Sequence, residues 1–282
     1  MLNKKKRSRS VFRMLEATLL VLTLAACGKA EPLYSGVSTM GRNYLPYNMN
    51  GFTITDAYGN KASGGGDDPP GGGGGIACCY KLKGTEFTVK WDYYDVDQWS
   101  PENSHIKHAE AKVSMPATAT PDKVGMRIFE VHFFPDRHVE LQFPGGLLDP
   151  SRVPVVEVSR WMSQHYEKDL DAKFADNWAE SHRRIARVVA AAWLKYRLTD
   201  QKDLEQFAYF ALLVNNRFDA QSEVQRILQE SKDQPGQFAK AMQNLPKDLL
   251  DDLKRDKFEA VAVPVIEDGL LPPPRTEAKQ NA

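Results

Sequence analysis

The pattern of apolar residues changes its period near Val158, and this change most constrains the fold. Upstream, apolar and polar residues alternate, as in strands that bury one face. Downstream, apolar residues recur every three or four positions, as in helices that pack one face on a core. The sequence therefore predicts an α+β fold, with an N-terminal antiparallel β-sandwich-like sheet at 51–157 and an α-helical subdomain at 158–262.

Six upstream segments have the composition and alternation of strands. They are 51–58, 76–82, 85–93, 109–115, 126–134 and 139–143. The last two are separated by Pro135, Asp136 and Arg137, which predicts a hairpin. Downstream, apolar stripes at 162–178, 185–196, 204–212 and 224–228 predict helices, with shorter pieces around Pro246. Such stripes indicate core packing rather than a cofactor lining.

The N-terminus has the order of a secretory signal: six basic residues, then the apolar run 17–26, then small residues. Leu24-Ala25-Ala26-Cys27 resembles the lipobox of bacterial lipoproteins, in which the cysteine carries lipid and becomes the first residue. A membrane-spanning anchor is the alternative, but the run is shorter than the roughly 20 residues that a bilayer requires. We therefore expect a signal peptide at 1–26, lipidation at Cys27, a linker at 27–50 and a disordered tail at 263–282.

Cleavage would change the charge of the chain. The 37 basic and 37 acidic residues balance, and the signal holds six of the former and one of the latter, so the mature chain carries −5. This charge argues against nucleic-acid binding and leaves membrane attachment to the lipid. In lipoproteins, an aspartate after the lipidated cysteine favours the inner membrane. Gly28 and Lys29 stand there instead, so we expect an outer-membrane anchor that faces the periplasm.

Two other cysteines, Cys78 and Cys79, are neighbours. Adjacent strand residues point to opposite faces, so a bond between them would require a distorted backbone. We expect two thiols, at least one of them packed in the core. A redox role is the alternative, although no Cys-x-x-Cys motif is present.

A glycine tract, residues 64–75, precedes the cysteines. It is not a phosphate-binding loop, because no Gly-Lys-Ser/Thr and no helix follow it. Two interpretations stay open: a flexible connection between strands, or a loop that becomes ordered against a partner.

Catalytic and metal-binding signatures are weak. Four histidines, at 105, 108, 132 and 138, could be combined into a zinc site, but their spacing fits no zinc motif. Nucleophile motifs of the hydrolase families are absent from the sequence. We therefore predict a protein that is not an enzyme, with no catalytic residues, no bound metal and no cofactor.

Aromatic residues alternate with carboxylates from Trp91 to Trp99, a composition found at protein-binding hot spots. Trp91 is expected in the core. The candidate partner-binding residues, including two from the glycine tract, are Asp67, Asp68, Asp92, Tyr94, Asp95, Asp97 and Trp99.

Several of these segments together resemble a known family. They are Asn50-Gly51-Phe52, the glycine tract, Ile76-Ala77-Cys78-Cys79-Tyr80 and Val89-Lys90-Trp91. They look like proteobacterial lipoproteins in which a glycine-rich segment runs into a Cys-Cys pair and a Val-x-Trp strand follows. The similarity covers roughly residues 36–150, and these lipoproteins resemble the immunity proteins of type VI secretion phospholipase effectors.

The resemblance implies a periplasm-facing lipoprotein that binds a secreted lipase effector and neutralises it. Two alternatives stay open. One is a structural or assembly lipoprotein of the cell envelope without a toxin partner. The other is an envelope metalloenzyme that uses the histidines.

Overall fold

The computed structural model describes residues 31–102, 105–145, 149–174 and 178–255. The predicted signal peptide, Cys27 and the predicted tail at 263–282 lie outside these ranges. None of the helices within the described ranges is both long enough and apolar enough to cross a membrane. Strands come first and helices follow, which confirms the α+β prediction.

Within the described ranges, eight strands form two four-stranded sheets. They are β1 (Leu33–Asn43), β2 (Asn48–Asp56), β3 (Lys61–Gly64), β4 (Ala77–Lys83), β5 (Glu86–Tyr94), β6 (Lys107–Ser114), β7 (Ile128–Phe133) and β8 (Val139–Gln142). Sheet A has the order β4-β1-β7-β8, and sheet B has the order β3-β2-β5-β6. All neighbours are antiparallel except β1 and β7, which are parallel.

The two sheets face each other across one apolar core, which confirms the sandwich. The rings of Phe52 and Trp91 in sheet B each lie with their centroids 5.4 Å from that of Phe133 in sheet A. The predicted hairpin is also confirmed: β7 pairs with β8, and Arg137 takes a positive φ of 64° in the turn.

The predicted linker at 27–50 is wrong where the structure describes it, because β1 occupies the centre of sheet A and β2 begins at Asn48. The apolar alternation of β1 is weak, since its buried positions include Thr39, Gly41 and Asn43. A Cβ atom at Gly41 would lie 2.9 Å from the Met49 side chain, so residues of sheet B fill the space that a larger residue would take. Burial here comes from facing side chains, which local periodicity does not record.

In the part of the chain that the structure describes, six α-helices follow the sandwich, and the first of them starts at Val155 rather than at the predicted residue 158. They are α1 (Val155–Phe174), α2 (Trp178–Tyr196), α3 (Gln201–Tyr209), α4 (Ser222–Glu230), α5 (Gln237–Gln243) and α6 (Lys247–Arg255). A π-helical turn, Phe210–Val214, continues α3. The helices enclose a second core, in which the Phe207 ring lies 4.9 Å from Phe218 and 6.0 Å from Phe238. Tyr44 and Phe134 of the sandwich join this core, so the two halves pack on each other.

Candidate partner-binding surface

The outer face of sheet B carries the exposed part of the predicted partner-binding residues. Side chains alternate along β5, so Phe87, Val89, Trp91 and Tyr93 are buried while Asp92 and Tyr94 point to the other face. Trp91 is 2% exposed, which confirms its expected place in the core. Asp92 and Tyr94 are therefore the predicted partner-binding residues that lie on the outer face of this strand.

Tyr94 and Asp67 meet at the end of this face. The Tyr94 hydroxyl donates to Asp67 Oδ1 over 2.5 Å, and Asn48 Nδ2 donates to the same oxygen over 2.9 Å. Partial burial, followed by the hydrogen bond to Asp67, raises the pKa of Tyr94 to about 12. The phenol therefore stays a neutral donor at physiological pH, and Asp67 is held in a fixed orientation by β2 and β5.

Asp92 lies directly opposite His108 in the β5–β6 pairing. Its Oδ1 atom is 2.6 Å from His108 Nδ1, and both side chains are exposed. Together with Asp67 and Tyr94, these residues define the exposed cluster: Asp67, Asp92, Tyr94 and His108. The first three are predicted partner contacts, whereas the sequence suggests His108 only as a possible metal ligand.

Asp95 and Asp97, in contrast, bind within the protein. Arg187 of α2 places a guanidinium nitrogen 2.5 Å from Asp95 Oδ1 and 3.0 Å from Asp97 Oδ2. Arg183, one turn earlier, donates to Asp97 Oδ1 over 2.9 Å. Asp95 is 7% exposed, so its burial removes it from the predicted contact set, and both carboxylates join the sandwich to the helices.

The glycine tract is also built into the fold, which neither sequence-based interpretation anticipated. Asn43 exchanges backbone hydrogen bonds with Gly71 and Gly72, and its side-chain amide donates to the Asp68 carbonyl over 2.8 Å. Met49 exchanges both of its backbone bonds with Asp68, as in a strand pair. Backbone hydrogen bonds therefore hold the tract against β1 and β2 of the sandwich.

Asp68 is the second predicted contact residue that burial removes from the set, since only 6% of it is exposed. Burial, with a smaller contribution from the charge of Asp67, raises the pKa of its carboxyl. A Cβ atom at Gly74 would lie 2.0 Å from Asp68 Oδ1. The glycine at position 74 is thus required by the close approach of a buried carboxyl group.

A buried histidine ties the same tract to the helices. His182 Nε2 donates to the Pro70 carbonyl over 2.8 Å, and Nδ1 lies 2.7 Å from the Ser159 hydroxyl of α1. Because a carbonyl oxygen can only accept, Nε2 carries the proton and Nδ1 accepts from Ser159. Burial lowers the pKa of His182, so the imidazole is neutral in this role.

Trp99 is the remaining member of the predicted set. It follows the short 3₁₀ turn Val96–Gln98, which Asp95 caps by accepting the Asp97 N–H. The ring is 52% exposed, so Trp99 stays available to a partner, next to the residues that anchor the turn to α2.

The four clustered histidines are separated by the fold. His132 is buried, with Nδ1 3.1 Å from the Tyr44 hydroxyl and Nε2 3.4 Å from Glu130. His138 pairs with Asp136 and stacks on Phe134 at 4.1 Å between centroids. Among the described residues, no three His, Cys, Asp or Glu side chains are grouped as metal ligands.

The buried pair of His132 and Glu130 is a polar cluster that the sequence analysis missed. Arg42 donates to Glu130 Oε1 over 3.0 Å. Burial alone would raise the pKa of Glu130, but the hydrogen bonds from His132 and Arg42 outweigh it and lower the pKa to about 2. The alternation of β7 places both residues on one face of the strand, opposite the face with Phe129, Val131 and Phe133. This pattern is the sequence feature from which the pairing of Glu130 with His132 could be predicted.

Comparison with known proteins gives no relatives. No family model, no curated protein and no solved structure matches this chain.

Proposed function

We propose that this protein is a periplasm-facing lipoprotein that binds a type VI secretion phospholipase effector and neutralises it. The observation that carries the proposal is the exposed cluster, in which Asp67 and Tyr94 are already hydrogen-bonded to each other on a rigid sheet. A surface held in one conformation before binding loses less entropy when a partner docks. The lipobox-like segment and the family resemblance supply the compartment and the class of partner.

The exposed cluster has the chemistry of a protein contact. Tyr94 offers an aromatic ring and a hydroxyl, and the two carboxylates of Asp67 and Asp92 favour a basic surface on the partner. An inhibitor of this kind acts by covering the active site of the lipase, and it needs no catalytic group of its own.

Co-expression tests the function. The genes adjacent to this one are searched for a phospholipase with a Gly-x-Ser-x-Gly motif, and that enzyme is directed to the periplasm, with and without this protein. We expect lysis without it and survival with it. Equal lysis in both cultures would reject neutralisation and leave the structural lipoprotein as the better explanation.

Substitution tests the surface separately. Tyr94→Ala and Asp67→Ala should each weaken lipase binding about 30-fold, the effect of losing roughly 2 kcal/mol at a hot spot. Arg226→Ala is the matched control, because Arg226 is an exposed charged residue of α4. Binding by calorimetry is compared after circular dichroism has shown that each variant is folded. If the native chain protects cells but both cluster variants bind the lipase with unchanged affinity, the contact surface lies elsewhere on the protein.

A further inference from the structure

The pairing of β1 with β4 is interrupted where the two adjacent cysteines lie. Val37 is opposite Tyr80, and Thr39 is opposite Ala77. One residue of β1, Ser38, therefore faces two residues of β4, Cys78 and Cys79, which is a β-bulge. A compensating irregularity near Gly36, whose φ is 66°, restores the register on the other side.

The bulge changes where the thiols point. On a regular strand, adjacent side chains lie on opposite faces, and one of these cysteines would be buried. Here both are exposed, so the expectation of a core cysteine is wrong. The Cys79 thiol points at the Cys78 sulfur, with 2.7 Å between the two Sγ atoms.

We propose that Cys78 and Cys79 form a redox site, which converts between two thiols and a disulfide of adjacent residues by exchange with a low-molecular-weight or protein disulfide. Exposure gives the oxidant access, and the folded chain holds the two sulfurs next to each other at the irregular part of β4. The oxidising conditions of the periplasm, which form part of the proposed function, would favour the disulfide.

The exchange balances in two steps. One of the two cysteine thiolates attacks one sulfur of the oxidant, the S–S bond of the oxidant breaks, and one thiolate leaves. The other cysteine thiolate then attacks the protein sulfur of this mixed disulfide, the mixed disulfide breaks, and a second thiolate leaves. The protein loses two electrons and two protons, and the oxidant is reduced to two thiols.

The hydrogen bond between the two thiols, followed by burial and the neighbouring sulfur, raises the pKa of Cys79. Either thiol can make the first attack, because both side chains are exposed and each sulfur faces the other.

Peptide mapping tests the proposal without any substitution. Trypsin cleavage after Lys61 and Lys81 releases peptide 62–81, which contains Cys78 and Cys79 and no other cysteine. The full-length protein is equilibrated with glutathione disulfide, alkylated and digested. We expect this peptide to be unalkylated and lighter than the dithiol form by two hydrogen atoms. Two alkylated thiols, two glutathione adducts or a cross-link between chains would each overturn the proposal.

Two controls test the pair. Cys79→Ser and Cys78→Ser should each stop at one glutathione adduct on the cysteine that remains. Failure of either remaining thiol to form an adduct would overturn the exchange. In the urea-unfolded native sequence, the ratio of internal disulfide to mixed disulfide should fall about tenfold, because the folded arrangement of the two sulfurs is lost. An unchanged ratio would show that the fold contributes nothing to the pairing.

Discussion

At the scale of single residues, Arg187 has the largest expected effect on stability. Its guanidinium is buried between Asp95 and Asp97, and removing it would leave two partly buried carboxylates without their main counter-charge. We expect Arg187→Ala to lower the free energy of unfolding by about 3–5 kcal/mol, measured by urea denaturation.

Arg226→Ala serves as the matched control for that substitution. Arg226 also contacts two carboxylates, those of Glu223 and Glu230, but all three are exposed on α4. Its removal should leave the urea midpoint unchanged, since water screens such pairs. If both variants lose the same free energy of unfolding, the ion pairs between the sandwich and the helices contribute no more to stability than exposed pairs do.

His182 gives the protein a pH dependence with a definite sign. Its pKa is lowered in the folded state, so between that value and roughly 6.5 the unfolded chain binds more protons than the native protein. The contribution of His182 to stability is therefore fully present above about pH 6.5 and is lost as the pH falls, by at most about 1.4 kcal/mol per pH unit.

Urea denaturation at pH 7.5 and pH 5.5 measures this contribution. His182→Gln should flatten the decrease in stability, whereas His165→Gln, at an exposed position of α1, should leave it as in the native chain. A decrease of the same size in all three proteins would exclude His182 as its origin.

Residue-scale prediction succeeded where the contacts are local and failed where they are distant. The alternation of β5 correctly separated Trp91 from Tyr94, because neighbours along one strand set that pattern. Nothing local distinguishes Asp92, which is exposed, from Asp95, whose partner Arg187 is 92 residues away in the sequence. Carboxylates next to aromatic residues look alike until the helix that binds one of them is placed.

At the scale of elements, the glycine tract is the connection most sensitive to substitution. Gly71 has a φ of 72°, and a Cβ atom there would lie 2.9 Å from the Val155 side chain at the start of α1. We expect Gly71→Ala to lower the free energy of unfolding by about 2–4 kcal/mol, because a left-handed backbone and an overpacked contact add.

Gly66 provides the control from the same tract. A Cβ atom at Gly66 would have no neighbour within 4 Å, and its φ lies outside the left-handed range. Gly66→Ala should therefore stay within about 0.5 kcal/mol of the native protein. Similar, small losses at both positions would support a flexible loop, one of the two interpretations that the sequence left open.

Six of the eight strands were predictable from the sequence, and the reason the other two were not differs between them. β1 buries small and polar residues against large side chains of sheet B, so its own apolar period is weak. β3, Lys61–Gly64, has a single apolar residue, Ala62, so it shows no apolar period. Helix stripes were located well, although Trp178 begins α2 instead of continuing α1.

At the scale of the whole molecule, the proposed lipid anchor makes a direct prediction. Cys27→Ser should release the protein from the membrane fraction, because the lipid would be the sole attachment of an acidic chain. Immunoblots of sedimented membranes measure the change, and Cys78→Ser is the control, since it removes a thiol outside the anchor. Sedimentation of the Cys27 variant with membranes would reject the lipoprotein assignment.

The place of β1 in the sandwich limits how far such an anchored protein could extend. Only residues 28–32 separate Cys27 from Leu33, the first residue of the central strand of sheet A. Six residue steps span at most roughly 20 Å of chain, less than the thickness of a bilayer. The sandwich would then stay at the membrane surface, and it could meet a phospholipase only where that enzyme reaches its lipid substrate.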